Sequence, residues 1–232
     1  MICSKEVLSF YKLAENYVLN CSDNLLAVKA SYLDNIKKDE AEADAFVNEL
    51  PKVREQLKED LAFFMDSDPA IDSAEEVILA YPGFKAIRYY RIANILYRLK
   101  QFLFARIIAE EAHYMTGVDI HPGATIDTPF FIDHGTGIVI GETTIIGKRV
   151  KMYQSVTLGA LSLSKGNRLH GVKRHPTIGD DVTLYAGVSI LGGDVKIGNR
   201  VTIGSNVFLT ESIPDDMLVT IGKPELVLQK RK

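Results

Sequence analysis

The chain has 232 residues, 47% apolar and 25% charged, with a formal net charge of −3. That balance suits one or two soluble globular domains and gives no electrostatic reason to expect nucleic acid or an anionic membrane as partner. There is no run of about 18 apolar residues and no signal-peptide pattern, and Cys3 and Cys21 lack metal-ligand spacing, so a reducing cytoplasm is the expected compartment.

The first half reads as helices. Val7, Tyr11, Ala14 and Val18 fall on one helical face, and Phe46, Leu50, Val53, Leu57 and Leu61 continue the style, interrupted by Pro51. Ile92, Leu96, Leu99 and Leu103 form a third stripe. Pro51, Asp68-Pro69 and Tyr81-Pro82-Gly83 divide the segment into several helices, and the charged run 35–44 reads as a solvated helix end. Such a domain can cap the second half of the chain or associate with copies of itself.

From Ile120 to Ile221 the period is six, which is neither helix nor strand. Ile120, Ile126, Ile132 and Ile138 share one comb; Ile140, Ile146, Met152 and Leu158 share a second, shifted by two. Ile178, Leu184 and Ile190 follow, then Leu191, Ile197, Ile203 and Leu209. A second apolar comb sits two places earlier, through Val150, Val156, Val182, Val188, Val195, Val201 and Val207. Gly141, Gly147, Gly159, Gly179, Gly198 and Gly204 each follow a core residue and are expected at turns. Six-residue periodicity is the signature of a parallel β-helix: each unit makes one short strand and one corner, and three units close a coil. A Val/Ile-rich sandwich also alternates, but does not hold a six-residue register over many units. The expected class is α+β, with a helical domain over 1–116 and a left-handed β-helix over 117–232.

Two places break the repeat, and both carry histidine. The run from Phe131 to Gly137 contains Asp133-His134 where the comb shifts by two, so two extra residues must bulge outward. The second break, an excursion over 161–176, ends in Lys173-Arg174-His175-Pro176. Excursions from a solenoid are surface loops, where functional residues concentrate. All five histidines lie between His113 and His175, although surface histidines scattered at random would also fit. There is no nucleophile elbow, no phosphate-binding glycine loop and no cysteine in the repeat. An imidazole base, carboxylates to orient it or bind an amine, and Arg174 to bind a carboxylate remain. That set reads as direct acyl transfer to the hydroxyl of a small amino acid or sugar.

Four runs carry a family resemblance. They are Val118-Asp119-Ile120-His121-Pro122, the stretch from Asp133 to Thr143, Gln154-Ser155-Val156-Thr157-Leu158-Gly159, and Arg174-His175-Pro176. With Asp68-Pro69-Ala70 and Tyr89-Tyr90-Arg91-Ile92 upstream, the chain resembles the serine O-acetyltransferases over roughly 65–220. The resemblance implies acetyl transfer from acetyl-CoA to L-serine, giving O-acetylserine for cysteine biosynthesis, with no resident cofactor and no metal. It implies His134 as the general base, Asp119 orienting its ring, Asp68 and Asp133 receiving the ammonium, and Arg174 the carboxylate. His175 would bind substrate and help position the hydroxyl, with Glu142 supportive. Asp68 could instead simply end a helix, and Asp119 could be a turn residue. Acetyl-CoA would lie in a groove between prisms along Gly159, Ala186, Thr202, Gly204 and Ser205, with the 161–173 loop closing over it. The family forms homotrimers through the prisms, many of them dimers of trimers through the helical domain, which implies an active site between two subunits.

Two departures stand out. The loop is longer than the family's usual one and adds His170 and Lys173. Family members that dock into O-acetylserine sulfhydrylase use a longer tail ending in isoleucine. This chain ends Gln229-Lys230-Arg231-Lys232 soon after Pro224, so no stable tail-mediated complex is expected. Three other readings stay open: an acetyltransferase for another small hydroxyl acceptor, a non-enzymatic solenoid, and a hexapeptide zinc carbonic anhydrase using His134, His170 and His175.

Overall fold

The computed structural model describes residues 4–162 and 171–222. Six helices come first: α1 (Ser4–Val18), α2 (Leu25–Asn35), α3 (Glu40–Ser67), α4 (Ala74–Ala80), α5 (Pro82–Arg98) and α6 (Phe102–Thr116). Their starts are written locally. Asn24, Asp39 and Ser73 accept the N–H of Ala27, Glu42 and Glu76 at the heads of α2, α3 and α4, and Pro82 opens α5 where its missing N–H costs nothing. Gly117, left-handed at φ 71°, ends α6 and turns the chain into the first strand.

Fourteen short strands come next among the described residues. In chain order they are β1 (Asp119–Ile120), β2 (Thr125–Ile126), β3 (Phe130–Ile132), β4 (Val139–Ile140), β5 (Ile145–Ile146), β6 (Val150–Met152) and β7 (Thr157–Gly159). Then come β8 (Thr177–Ile178), β9 (Thr183–Leu184), β10 (Ser189–Leu191), β11 (Lys196–Ile197), β12 (Thr202–Ile203), β13 (Phe208–Leu209) and β14 (Leu218–Val219). They pair in parallel as three faces of a prism: β1-β4-β7-β10-β13, β2-β5-β8-β11 and β3-β6-β9-β12-β14. The comb is the core. Ile120, Ile140, Leu158 and Ile190 stand in register down the first face, all buried.

Several local expectations change. Pro51 does not interrupt a helix; it lies inside α3, itself exposed, while Leu50 and Val53 on either side are buried. Burial of that face outweighs the roughly 3 kcal/mol an internal proline costs. The third stripe stops at Leu99, which is half-buried against the core: the chain reverses through Lys100 at φ 63°, and Leu103 points to solvent on α6. Leu191 lies half-buried beside Gly159, and Ile190 is the inward residue of β10.

The six repeat glycines do not take the left-handed turns. Arg149, Asp181, Arg200 and Asp216 do so at the edge between the second and third faces, at φ 56° to 62°. Arg149 pairs with Asp181 and Arg200 with Asp216, through two short hydrogen bonds each. Gly147, Gly179 and Gly198 serve close stacking instead. A Cβ on Gly147 would lie 2.9 Å from the Gly179 carbonyl carbon, and one on Gly179 would lie 2.9 Å from that of Gly198.

Candidate active site

The first cluster sits where the helices meet the prism. Phe64 of α3 packs edge-on against Phe131 of β3 at 4.7 Å and Phe84 of α5 at 5.6 Å. Gly83 rests on the Ile132 backbone so closely that a Cβ there would lie 2.9 Å from its carbonyl carbon. This packing brings the end of α3, the start of α5 and the end of β3 together, and each delivers one polar side chain. Asp68 caps α3; its Oδ1 accepts the Ala70 N–H at 2.9 Å and its Oδ2 the Tyr81 hydroxyl at 3.0 Å. Burial, and then that carboxylate, push Tyr81 up to about 12, so it stays a donor. Asp133 follows β3. Its charge and that of Asp68 act on both Tyr81 and Tyr153, which places the two carboxylates in one neighbourhood.

His134 stands beside them. It adopts φ 57° in the two-residue bulge, its N–H donates to Asp133 Oδ1 at 2.7 Å, and its Nε2 lies 3.6 Å from Asp133 Oδ2. The ring is 66% exposed among the described residues. The bulge has the expected size. Ile132 to Ile140 spans eight residues between inward positions, where Met152 to Leu158 spans six.

The second cluster lies on another edge of the prism. Asp133 and His134 occupy the corner from the third face to the first, whereas Glu142, Thr143, Arg174 and His175 occupy corners from the first face to the second. Glu142 accepts the Tyr97 hydroxyl at 2.6 Å and pairs closely with the Arg174 guanidinium. Burial opposes its charge, but Tyr97 and Arg174 prevail and hold it below the usual range. Thr143 anchors the end of the excursion. Its Oγ1 accepts the N–H of Arg174 at 2.9 Å and of His175 at 3.1 Å, and its own N–H donates to His175 Nδ1 at 3.1 Å. Lys173 ties the same turn from outside, donating to the carbonyls of Thr143 at 2.7 Å, Pro176 at 3.1 Å and His175. His175 is buried; desolvation, then the charges of Arg174 and Lys173, lower it to about 4, so it is uncharged at neutral pH.

Asp119 sits at the start of β1 and has no hydrogen bond or ion pair with His134 among the described residues. Its charge acts on His121, which belongs to the second cluster with Glu142 and Tyr97. The residues expected along acetyl-CoA divide in the same way. Ala186, Gly204 and Ser205 line the edge that carries His134, with Thr202 on β12 leading to it. Gly159 ends β7 on the side of the excursion, beside a cleft of about 390 Å³ lined by Leu161, Ser162, Lys173, Arg174 and Leu191. Residues 163–170 of the excursion, His170 among them, and the tail 223–232 lie outside the described residues. No group of three or more His, Cys, Asp or Glu capable of holding a metal occurs among the described residues.

Sequence reasoning assigned no site role to Tyr81, Tyr97, His121 or Thr143. Thr143 closes one of the family-like runs, but its contacts span 31 and 32 residues and leave no local signal.

The bacterial transferase hexapeptide family (six repeats) matches residues 175–211. The serine acetyltransferase of Bacillus subtilis is 45% identical over 177 residues, covering 76% of this chain and 78% of that one. The chain belongs to the serine acetyltransferase family. A plasmid-borne serine acetyltransferase of Synechococcus elongatus is 50% identical over 173 residues, 73% of this chain, and the match spans about half of that relative, 54% of its length. The fold agrees along nearly the whole chain. The crystal structure of Entamoeba histolytica serine acetyltransferase isoform 3 in complex with cysteine superposes with a TM-score of 0.83 at 35% identity, covering 96% of this chain and 84% of that one. Soybean serine acetyltransferase complexed with serine gives 0.65 at 36% identity, covering 74% and 70%.

Proposed function

We propose that this chain transfers acetyl from acetyl-CoA to the hydroxyl of L-serine, giving O-acetylserine and free coenzyme A. One observation carries the reading beyond family membership. Asp68 and Asp133 make one edge anionic beside an exposed imidazole, while the other edge offers Arg174 beside a buried, uncharged His175. Those two charges suit the two ends of a zwitterionic amino acid, with its hydroxyl between them.

In this reading Asp68 and Asp133 receive the ammonium and Arg174 the carboxylate. His134 removes the hydroxyl proton as the serine oxygen attacks the thioester carbonyl carbon. The tetrahedral intermediate collapses, the carbon–sulfur bond breaks, and the departing thiolate takes the proton from His134. No covalent enzyme intermediate is required.

Because the two clusters occupy different edges, the site is completed when the edge of one prism meets the other edge of its neighbour. That contact is heterologous and closes into a ring, a homotrimer, which the helical domain can pair into a dimer of trimers. Acetyl-CoA then lies in the groove between prisms, bounded by Gly159 on one and by Ala186, Thr202, Gly204 and Ser205 on the other. Asp119 of one subunit is available to the His134 ring of the next. No helix among the described residues is long and apolar enough to cross a membrane, and we place the reaction in the cytoplasm.

Thiol release from acetyl-CoA across L-serine, homoserine, ethanolamine and simple sugars tests the acceptor. L-serine should be used best. Equal rates with ethanolamine would remove the carboxylate from recognition, and with it the serine assignment.

A further inference from the structure

The contacts of His175 specify more than its position. Its Nδ1 faces the backbone N–H of Thr143 at 3.1 Å, a group that can only donate, so Nδ1 must present a lone pair. The Thr143 hydroxyl is 2.9 Å from the same nitrogen. That hydroxyl already accepts two N–H groups, from Arg174 and His175, which occupy its two lone pairs and leave its hydrogen for Nδ1. Both Thr143 donors then face the single lone pair of Nδ1, which specifies an uncharged imidazole with its hydrogen on Nε2. The ring is also held flat. A Cβ on Gly141 would run into it, 2.7 Å from Cγ, so the glycine provides the floor against which His175 lies.

We propose that Thr143 is a positioning residue that fixes His175 as a permanent Nε2–H donor to the acceptor hydroxyl. This rests on the serine site described above. A hydroxyl oxygen that accepts from His175 has its own hydrogen left to give, and the base for it is His134. The two imidazoles therefore divide the work: one donates and holds, the other accepts and removes. Burial, with Arg174 and Lys173 alongside, supports the uncharged state.

The tautomer can be read directly. Protein labelled with ¹⁵N-histidine, in the absence of substrate near pH 7, is examined by two-bond proton–nitrogen correlation, with the His175 signals assigned by their loss in His175→Gln. The expected pattern is a neutral ring protonated at Nε2. A ring protonated at Nδ1, or a charged ring, overturns the proposal. This arm needs no turnover, so it decides the tautomer even if L-serine proves not to be the acceptor. Kinetics supply the second arm. Thr143→Val should lower kcat for L-serine about 3- to 10-fold, the worth of a neutral hydrogen bond, with the KM for acetyl-CoA unchanged. Thr143→Ser should restore it. Wild-type kcat in Thr143→Val, or equal damage in both variants, contradicts the role given to the hydroxyl.

Discussion

Arg91 and Asp60 form a two-point ion pair, 2.6 and 2.8 Å long, with side-chain exposures of 2% and 0%. Asp60 also accepts the N–H of Phe130 at 2.9 Å, so one buried carboxylate joins α3, α5 and the first residue of β3. Tyr90 adds a second tie, its hydroxyl donating to the Ala124 carbonyl at 2.7 Å and accepting the Ile126 N–H at 3.1 Å. The strand that Asp60 holds, β3, runs directly into Asp133 and His134. The helical half thereby sets where the proposed base stands.

Removing one partner of that pair leaves the other charged, buried and alone. Asp60→Ala is expected to cost about 3–5 kcal/mol. Urea unfolding at one fixed subunit concentration measures it. The double variant Asp60→Leu, Arg91→Met removes both charges and should recover most of the loss. A cost below about 1 kcal/mol for Asp60→Ala would mean that the junction does not depend on this pair.

His134→Ala should reduce turnover by about 10²–10⁴, the range of a general base, with folding and assembly intact because the ring is exposed and outside the core. Steady-state thiol release, alongside circular dichroism and size-exclusion chromatography, separates chemistry from folding. Near-normal turnover would take His134 out of the mechanism.

Arg174→Ala should lower kcat/KM for L-serine about 10- to 150-fold, the worth of a charge-assisted hydrogen bond, and leave the KM for acetyl-CoA nearly unchanged. Ethanolamine, which has no carboxylate, should be used equally by both proteins. An equal loss with both acceptors would reassign Arg174 to a structural role with Glu142.

His175 links stability to pH. Its native pKa of about 4 lies below the 6.5 of the unfolded chain. Between those values the unfolded state binds a proton that the native state refuses, so stability falls as pH falls through this window. The contribution is complete above pH 6.5, flattens below 4, and amounts to on the order of 3 kcal/mol across the window. Unfolding of the native protein and His175→Gln from pH 7 to 4 measures it. Parallel curves for the two proteins would contradict the linkage.

The prism was legible because its core is periodic. One aliphatic residue in six fixes the register, so the two extra residues at Asp133 and His134 show as a shift in the comb. The corners were harder to read, because a glycine beside a core residue has two uses. At Gly141 and Gly147 the use is room for a neighbouring side chain or coil, and φ stays negative. Pro51 misled for a different reason: a local rule about proline competes with burial on the same helix, and burial is a tertiary quantity. Contacts such as Asp60 with Arg91, or Thr143 with His175, join residues 31 and 32 apart and have no period at all. The resemblance implied a site between two subunits without saying which residues each supplies. Counting units in threes places His134 and Arg174 at different corners, which divides the site between two edges.

Subunit mixing tests the central claim, that each site is assembled from two different edges on neighbouring chains. His134→Ala and Arg174→Ala subunits, each nearly inactive alone with L-serine, are co-assembled in equal amounts and assayed for thiol release. A closed ring with one such site per interface should then recover about a quarter of native activity, because one interface in four pairs an intact His134 with an intact Arg174. Activity no greater than the sum of the two separate proteins would show that His134 and Arg174 act within one chain, or not together.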